Sequence, residues 1–318
     1  MSSQRSAPRY TGIRTFASLE HVPLSTLAAT GSETQADVAV VGIPFDTATS
    51  WRPGARFAPE AIRSASVLLR PWHPRHRVEV LRAGAVVDAG DVGVTPGNAA
   101  RTSEQITAAL SPLRAGGIVT LVLGGDHTIA LGELRAHAAA AGPAPLLLID
   151  AHADTWDEYY GERIFHGTFL RRAIEENLVD PARSLVAGLR GSLYAPADLD
   201  DARALGLELI AIEELRALGP DAFAARARER CGSERVVLSF DIDAVDPSAA
   251  PATGTPEVGG LSATDALAFV RSLAGITFAG FDLVEVSPPY DPPAQITSLL
   301  AANIAYEMLA LAALARAG

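Results

Sequence analysis

Residues 146–154 read LLLIDAHAD, and residues 236–243 read VVLSFDID. Each stretch is a short apolar run that ends abruptly in acidic and histidine side chains. An uninterrupted apolar run of this length is typical of a parallel strand that is buried on both faces. The two stretches therefore predict buried strands whose carboxyl ends carry polar side chains.

Six further apolar runs recur along the chain, separated by longer segments with helical spacing. Pro59 opens one predicted helix that runs to residue 69, Ser262 and Asp265 form a capping-box-like start for another, and residues 296–316 form a long amphipathic helix. Alternating strands and helices predict a single-domain, three-layer α/β/α fold with a mostly parallel eight-stranded sheet. The predicted strands are residues 37–43, 85–89, 118–123, 146–150, 184–188, 207–212, 235–241 and 277–286.

Composition excludes several classes of partner. The 318 residues carry 26 basic and 37 acidic side chains, a net charge of −11, which argues against binding to nucleic acid. All the basic residues are Arg, so lysine chemistry is excluded, and the single cysteine, Cys231, excludes a thiolate cluster. No apolar run approaches the roughly 20 residues that span a bilayer, so we expect no membrane partner and a cytoplasmic location.

A third polar cluster, GGDHT at residues 124–128, also follows a predicted strand. Ligands of parallel α/β sheets collect outside the carboxyl ends of the strands, so the three clusters should meet at one edge. Spacing of every second residue in extended backbone predicts that the acids of each cluster project to one side. Four carboxylates together with two histidines require compensating cations. The candidate ligands are His127, Asp150, His152, Asp154, Asp241 and Asp243.

This set of ligands is rich in oxygen and contains no sulfur. Two divalent ions would supply four positive charges against the four aspartates. Such a donor set favours two Mn²⁺ ions per chain, with Zn²⁺, Co²⁺ or Ni²⁺ as alternatives.

The chain resembles the ureohydrolase family, which includes arginases, agmatinases and guanidino-acid hydrolases. The resemblance is carried by matching stretches that span nearly the whole chain, and it is closer to the agmatinases. It implies an arginase-like fold, with residues 1–35 as an N-terminal arm and residues 36–318 as the catalytic domain, and a homotrimer or homohexamer. The stretches include WRPGARFAPEAIR from Trp51, GGDHT, DAHAD, FHGTFLRRA from Phe165, SFDIDAVDP from Ser239 and DLVEVSPPYD from Asp282.

The resemblance also implies roles for the ligands. Asp150 and Asp241 would bridge two Mn²⁺ ions, one further held by His127 and Asp154 and the other by His152 and Asp243. A hydroxide shared by the two ions would attack the guanidinium carbon.

Two further residues gain roles from the resemblance. Glu285, predicted to lie on the same strand face as Leu283, would bind the guanidinium, and His166 would be a mobile loop residue that protonates the leaving amine. Phe169 stands where many relatives have proline. Asp126 is expected to fix the imidazole of its neighbour His127.

The loop of residues 155–163 is predicted to form the rim of the pocket, with Trp156, Asp157 and Arg163 as contacts for the tail of the substrate. Its acidic balance favours a cationic tail such as that of agmatine, which would yield urea and putrescine. Guanidinobutyrate, guanidinopropionate and an amidino group on a biosynthetic intermediate remain alternatives. A two-metal phosphoesterase is the alternative from a different class, although the acidic set suits a cationic substrate better.

Overall fold

The computed structural model describes residues 8–29, 36–82 and 85–317. Nine strands form one sheet in the order β1-β5-β2-β6-β11-β10-β7-β8-β9, and every neighbouring pair in it is parallel. A separate antiparallel hairpin pairs β3 with β4. The strands are β1 (Glu20–His21), β2 (Val38–Gly42), β3 (Trp72–His73), β4 (Val78–Glu79), β5 (Val86–Asp91), β6 (Val119–Leu123), β7 (Leu146–Ile149), β8 (Leu185–Leu189), β9 (Glu208–Ala211), β10 (Val236–Asp241) and β11 (Phe278–Val284).

Helices cover both faces of this sheet, so the predicted three-layer α/β/α fold is confirmed. Helices α2, α7, α8 and α9 pack on one face, and α3, α4 and α5 pack on the other. The helices are α1 (Leu24–Leu27), α2 (Ala58–Ala65), α3 (Ala99–Ala115), α4 (Ile129–Ala141), α5 (Phe169–Glu175), α6 (Ala197–Ala204), α7 (Ile212–Cys231), α8 (Ala263–Ser272) and α9 (Ile296–Ala317).

All eight predicted strands are present, but the count of eight was wrong because β1 adds a ninth. This strand has only two residues, Glu20 and His21, both exposed, so it carries no apolar run that a sequence pattern would detect. It lies within the predicted N-terminal arm, of which residues 1–7 and 30–35 fall outside the described residues.

Helix α9 is long and apolar enough to cross a bilayer by length and composition, contrary to the expectation from its sequence. Of its most apolar window, 78% is buried inside the fold. The helix packs on α2, α8 and the central strands, where the same apolar surface forms the core. It is therefore better explained as a core helix than as a membrane span.

The four strands that end in polar clusters are neighbours at the centre of the sheet, in the order β6-β11-β10-β7. The residues of β7, β10 and β11 are all buried, as expected for parallel strands covered on both faces. Their carboxyl ends consequently open onto one shared edge.

Candidate metal centre and guanidinium site

The turn after β6 brings residues 124–128 close to the neighbouring backbone. A Cβ atom on Gly125 would lie 2.0 Å from the carbonyl oxygen of Phe45, and one on Gly124 would lie 2.8 Å from that of Leu283. Only glycine fits at these two positions, which explains the GG of the motif. The turn places His127 at the carboxyl-end edge of the sheet, just before α4 begins.

Aspartate side chains organise the turns after β7 and β10. Asp150 Oδ1 accepts the His152 N–H at 2.6 Å, and Asp241 Oδ1 accepts the Asp243 N–H at 2.8 Å. Asp154 has left-handed backbone, with φ of 51°. The side chains converge as predicted, but the predicted reason was wrong: the chain turns here, so the alternation of an extended strand does not apply.

Three carboxylates surround one nitrogen. His127 Nδ1 lies 3.1 Å from Asp154 Oδ2, 3.2 Å from Asp241 Oδ2 and 3.3 Å from Asp150 Oδ2. One imidazole nitrogen carries at most one proton and cannot satisfy three carboxylates. Both His127 Nδ1 and Asp150 Oδ2 are buried without a hydrogen-bond partner, which is the arrangement expected of ligands facing a common cation.

A second group adjoins the first and shares Asp150 with it. His152 Nδ1 lies 3.0 Å from Asp243 Oδ2 and 3.5 Å from Asp150 Oδ1. The ligand atoms of His127, Asp150 and Asp241 lie within 4.8 Å of one another, and so do those of Asp150, His152 and Asp243. Asp241 belongs to the first group only, so its bridging role stays a prediction.

The buried charges of this cluster shift the pKa values of its members. Burial, together with Asp243 and Asp150, raises the pKa of Asp241 well above its usual range. Burial and Asp150 raise the pKa of Asp154 to about 6. Burial alone would lower the pKa of His127, but its three carboxylate neighbours raise it well above the usual value. The donor set suits two divalent cations. Bound cations would offset the buried carboxylate charges that shift these pKa values.

The imidazole of His127 is held from behind by a relay that the sequence did not reveal. His127 Nε2 lies 2.8 Å from Ser239 Oγ, which donates to Asp282 Oδ1 at 2.5 Å. An Nε2–H that donates to the serine leaves the Nδ1 lone pair for a metal. The expectation that Asp126 does this was wrong, because its carboxylate accepts the Ala48 and Thr128 N–H groups.

Glu285 lies one residue beyond β11 with left-handed backbone, φ of 63°, so it does not share a strand face with Leu283 as predicted. Its Oε1 accepts the His127 N–H at 2.8 Å and lies 3.1 Å from His166 Nδ1. Its Oε2 is buried and has no hydrogen-bond partner in the part of the chain that the structure describes. The carboxylate thus has one oxygen committed to the protein and one open to a ligand.

His166 is 7% exposed and begins a short 3₁₀ turn, which contrasts with the predicted mobile loop. The Ser50 N–H donates to His166 Nε2 at 3.1 Å, and Ser50 Oγ lies 2.9 Å from the same nitrogen. An accepting Nε2 means that Nδ1 carries the proton of the neutral ring, directed at Glu285. Ser50 precedes the WRPGAR motif and was missed because an isolated serine carries no signal.

A cavity of about 460 Å³ opens above this centre. Trp156 lines it as predicted, stacked on Tyr159 at a ring separation of 4.8 Å. Asp157 and Arg163 do not line it: Asp157 pairs with Arg172 at 2.6 Å, and Arg163 pairs with Glu175 at 3.0 Å. Both partners belong to α5, and the contact of Asp157 and Arg163 with the substrate tail stays a prediction.

Charged residues that the sequence did not single out line the cavity instead. Arg190 donates to the carbonyl oxygens of Asp243 and Glu257. Arg203 pairs with Asp200 at 3.0 Å. The carboxylate of Glu257 makes no hydrogen bond or ion pair within the described part of the chain. Arginine and glutamate are so common on surfaces that their spacing alone does not indicate a pocket.

A third histidine and carboxylate group, His73, His76 and Glu307, lies away from the cavity. His73 is buried. Its Nδ1 accepts the His76 N–H at 3.1 Å, so its Nε2 carries the proton and donates to Glu307 Oε2 at 3.0 Å. This tautomer offers no lone pair to a cation, and the group is better explained as a structural tie between the β3–β4 hairpin and α9.

Comparison with known proteins adds independent findings. Residues 36–310 match the model of the arginase family. The chain is 42% identical over 303 residues to a guanidinobutyrase of Pseudomonas aeruginosa, covering 95% of this chain and 93% of that protein. It is 42% identical to a mitochondrial agmatinase of Gallus gallus, covering 86% and 80%. The solved structure of proclavaminate amidinohydrolase from Streptomyces clavuligerus superposes with a TM-score of 0.87 at 39% identity, covering 97% and 100%.

Proposed function

Because the chain belongs to the arginase family, whose members are binuclear metal enzymes that hydrolyse carbon–nitrogen bonds of guanidino compounds, we propose that it releases urea from a short linear guanidinium substrate. The observation that carries the proposal is the partnerless Glu285 Oε2 beside the buried carboxylate cluster. A buried acceptor of negative charge suits a planar cation. The cluster beside it suits metal-activated water.

Two Mn²⁺ ions held by the six ligands would supply Lewis acidity that lowers the pKa of a water molecule towards 7. Glu285 binds the guanidinium and orients its central carbon towards the carboxylate cluster. Burial lowers the pKa of His166 but the charge of Glu285 raises it overall, so the ring can take up the proton that the attacking water loses and, as an imidazolium, pass a proton to the leaving nitrogen. Water adds to the guanidinium carbon and the bond to the amine breaks, giving urea and a protonated amine.

Agmatine is the first candidate substrate. The Glu257 carboxylate lines the cavity and makes no hydrogen bond or close ion pair with the described residues, although its charge interacts with that of Arg190. The cationic lining residues Arg190 and Arg203 are occupied, one by carbonyl oxygens and the other by Asp200. An unpaired carboxylate favours the amine tail of agmatine.

Guanidino acids are the second candidate, favoured by a different observation. The guanidinobutyrase and the proclavaminate amidinohydrolase both lie near 40% identity to this chain. Arg190 supports this candidate, because its charge is satisfied by carbonyl oxygens and is neutralised by no hydrogen-bonded carboxylate.

Urea release by the Mn²⁺-loaded protein from agmatine, guanidinobutyrate, guanidinopropionate and arginine separates these candidates. Glu257→Gln should raise KM for agmatine at least tenfold and leave or lower KM for guanidinobutyrate. A raised KM for guanidinobutyrate with an unchanged or lower KM for agmatine would instead identify guanidino acids as the substrates. Release of phosphate from nitrophenyl phosphate with no urea from any guanidino compound would contradict the proposed function.

A further inference from the structure

Two buried oxygens without partners face the same small space behind the cavity wall. They are Glu285 Oε2 and Thr49 Oγ1. Each lies 3.2 Å from the point where a Cβ atom on Gly254 would stand, and the carbonyl oxygen of Arg52 lies 3.4 Å from that point. We name this space, bounded by Thr49, Arg52, Gly254 and Glu285, the oxygen niche.

The niche adjoins the cavity through residues next to it in sequence. Ser50 and Thr255 line the cavity and follow Thr49 and Gly254 directly. Ser50 also contacts His166, which in turn contacts Glu285. The niche therefore lies beside the residues that the proposed reaction uses.

The oxygen niche is lined mainly by hydrogen-bond acceptors. A carboxylate oxygen and a carbonyl oxygen accept only, and a hydroxyl can also accept. Leaving buried acceptors unsatisfied costs free energy, so the space suits a group with several N–H donors. One amino end of a guanidinium has two N–H bonds in a fixed plane, which can reach two oxygens at once.

We propose that Thr49 and Gly254 complete the guanidinium-binding site of Glu285, with the Thr49 hydroxyl accepting a hydrogen bond from the substrate and Gly254 leaving the room for it. This inference rests on the proposed function. Thr49 is a substrate-binding residue in this account. Gly254 acts by the absence of a side chain.

An alanine side chain at position 254 would crowd the niche. A methyl group would stand 3.2 Å from both unpartnered oxygens, closer than carbon and oxygen ordinarily pack. It would occupy the space that we assign to the amino group. The glycine does not need the left-handed backbone region, so the substitution tests the space rather than the backbone.

The test compares Thr49→Val, which keeps the shape and removes the hydroxyl, with Thr49→Ser, which keeps the hydroxyl. Thr47→Val is the matched control, since Thr47 lies in the same loop and accepts only the Gly97 N–H at the surface. For each Mn²⁺-loaded protein, KM and kcat are measured with the guanidino compound that wild type hydrolyses fastest. The inhibition constant of guanidinium chloride at millimolar, non-denaturing concentration is measured as well.

We expect Thr49→Val to raise KM and the guanidinium inhibition constant about tenfold or more, with a smaller effect on kcat. Thr49→Ser should recover most of the loss, and Thr47→Val should match wild type. Gly254→Ala should raise both constants further. Metal content and the midpoint of thermal unfolding should be unchanged in Thr49→Val.

KM and the inhibition constant of Thr49→Val within twofold of wild type would overturn the inference. A lower thermal midpoint of Thr49→Val with unchanged KM and inhibition constant would also overturn the inference, because the niche would then hold a structural water only. A wild-type protein that releases no urea from any guanidino compound would instead refute the proposed function. If Gly254→Ala does not fold, the two Thr49 variants still test the inference.

Discussion

At the scale of single residues, the site depends on which nitrogen of each histidine carries a proton. His127 is fixed from behind by Ser239 and Asp282, and His166 is fixed by the Ser50 N–H. These contacts leave His127 Nδ1 facing carboxylates and His166 Nδ1 facing Glu285. A ligand nitrogen and a proton donor are thus set by hydrogen bonds from residues that lie outside the recognised motifs.

His166→Ala tests the proposed proton transfer. The variant should retain both metal ions, because His166 is not among the predicted ligands, while kcat falls by roughly 10²- to 10⁴-fold, the usual contribution of a positioned acid. Metal content and urea release are the measurements. His21→Ala, at an exposed position in β1, is the control. Undiminished turnover in His166→Ala would remove the residue from the mechanism.

Asp282→Asn tests the relay behind His127. The amide no longer supplies a charged acceptor to Ser239, so we expect metal affinity to fall by roughly 10- to 100-fold, as for other partners of ligating histidines. Isothermal titration calorimetry of the metal-free protein with Mn²⁺ measures this affinity. The exposed Asp221→Asn is the control. Equal affinity in the two variants would show that the relay is only structural.

At the scale of elements, the turns after the strands position the chemistry. The apolar runs predicted all four central strands, because a strand buried on both faces leaves a continuous pattern. The directions of Asp154 and Glu285 could not be predicted, because both have left-handed backbone that non-glycine residues rarely adopt. The ion pairs of Asp157 and Arg163 could not be predicted either, because their partners come from α5 through tertiary packing.

Helix α8 provides a prediction about stability that is separate from activity. The Ser262 side chain accepts the Asp265 N–H at 3.1 Å and lies 2.7 Å from the Asp265 carboxylate, as the capping-box pattern predicted. Ser262→Ala should lower the free energy of unfolding by about 1 kcal/mol and leave kcat and KM unchanged. Ser262→Thr keeps the cap and is the control. Denaturation curves that coincide for the two variants would contradict the assignment.

At the scale of the whole molecule, metal-binding residues that are far apart in sequence depend on one folded edge. His127 and Asp243 come from turns after β6 and β10, which the sheet brings together. The position of the polar clusters at the ends of parallel strands predicted this convergence, and the family resemblance predicted the reaction class. The substrate depends on cavity side chains such as Glu257, whose placement follows from tertiary packing. The trimer or hexamer stays a prediction.

The metal-free protein should lose stability as pH rises. Burial raises the pKa of Asp154 to about 6, of Asp126 to about 7 and of Asp282 to about 6. These groups bind protons more tightly in the folded than in the unfolded state, so the free energy of unfolding falls between about pH 4 and pH 7.

Thermal unfolding in the presence of a chelator measures this effect. The midpoint should be a few degrees lower at pH 7.5 than at pH 5, since 1 kcal/mol corresponds to about 1.5 °C for a chain of 318 residues. Mn²⁺ should raise the midpoint, and more so at pH 7.5, because metal competes with protons for the same ligands. A chelated protein that is more stable at pH 7.5 would contradict the electrostatic account.

The central claim is that six side chains from three turns hold two metal ions at the edge of the sheet. Anomalous diffraction from crystals grown with Mn²⁺ tests it most directly. The account predicts two manganese peaks about 3.5 to 4 Å apart, both contacted by Asp150 and Asp241, with His127 on one and His152 on the other. A single peak, or manganese bound only outside this edge, would contradict it.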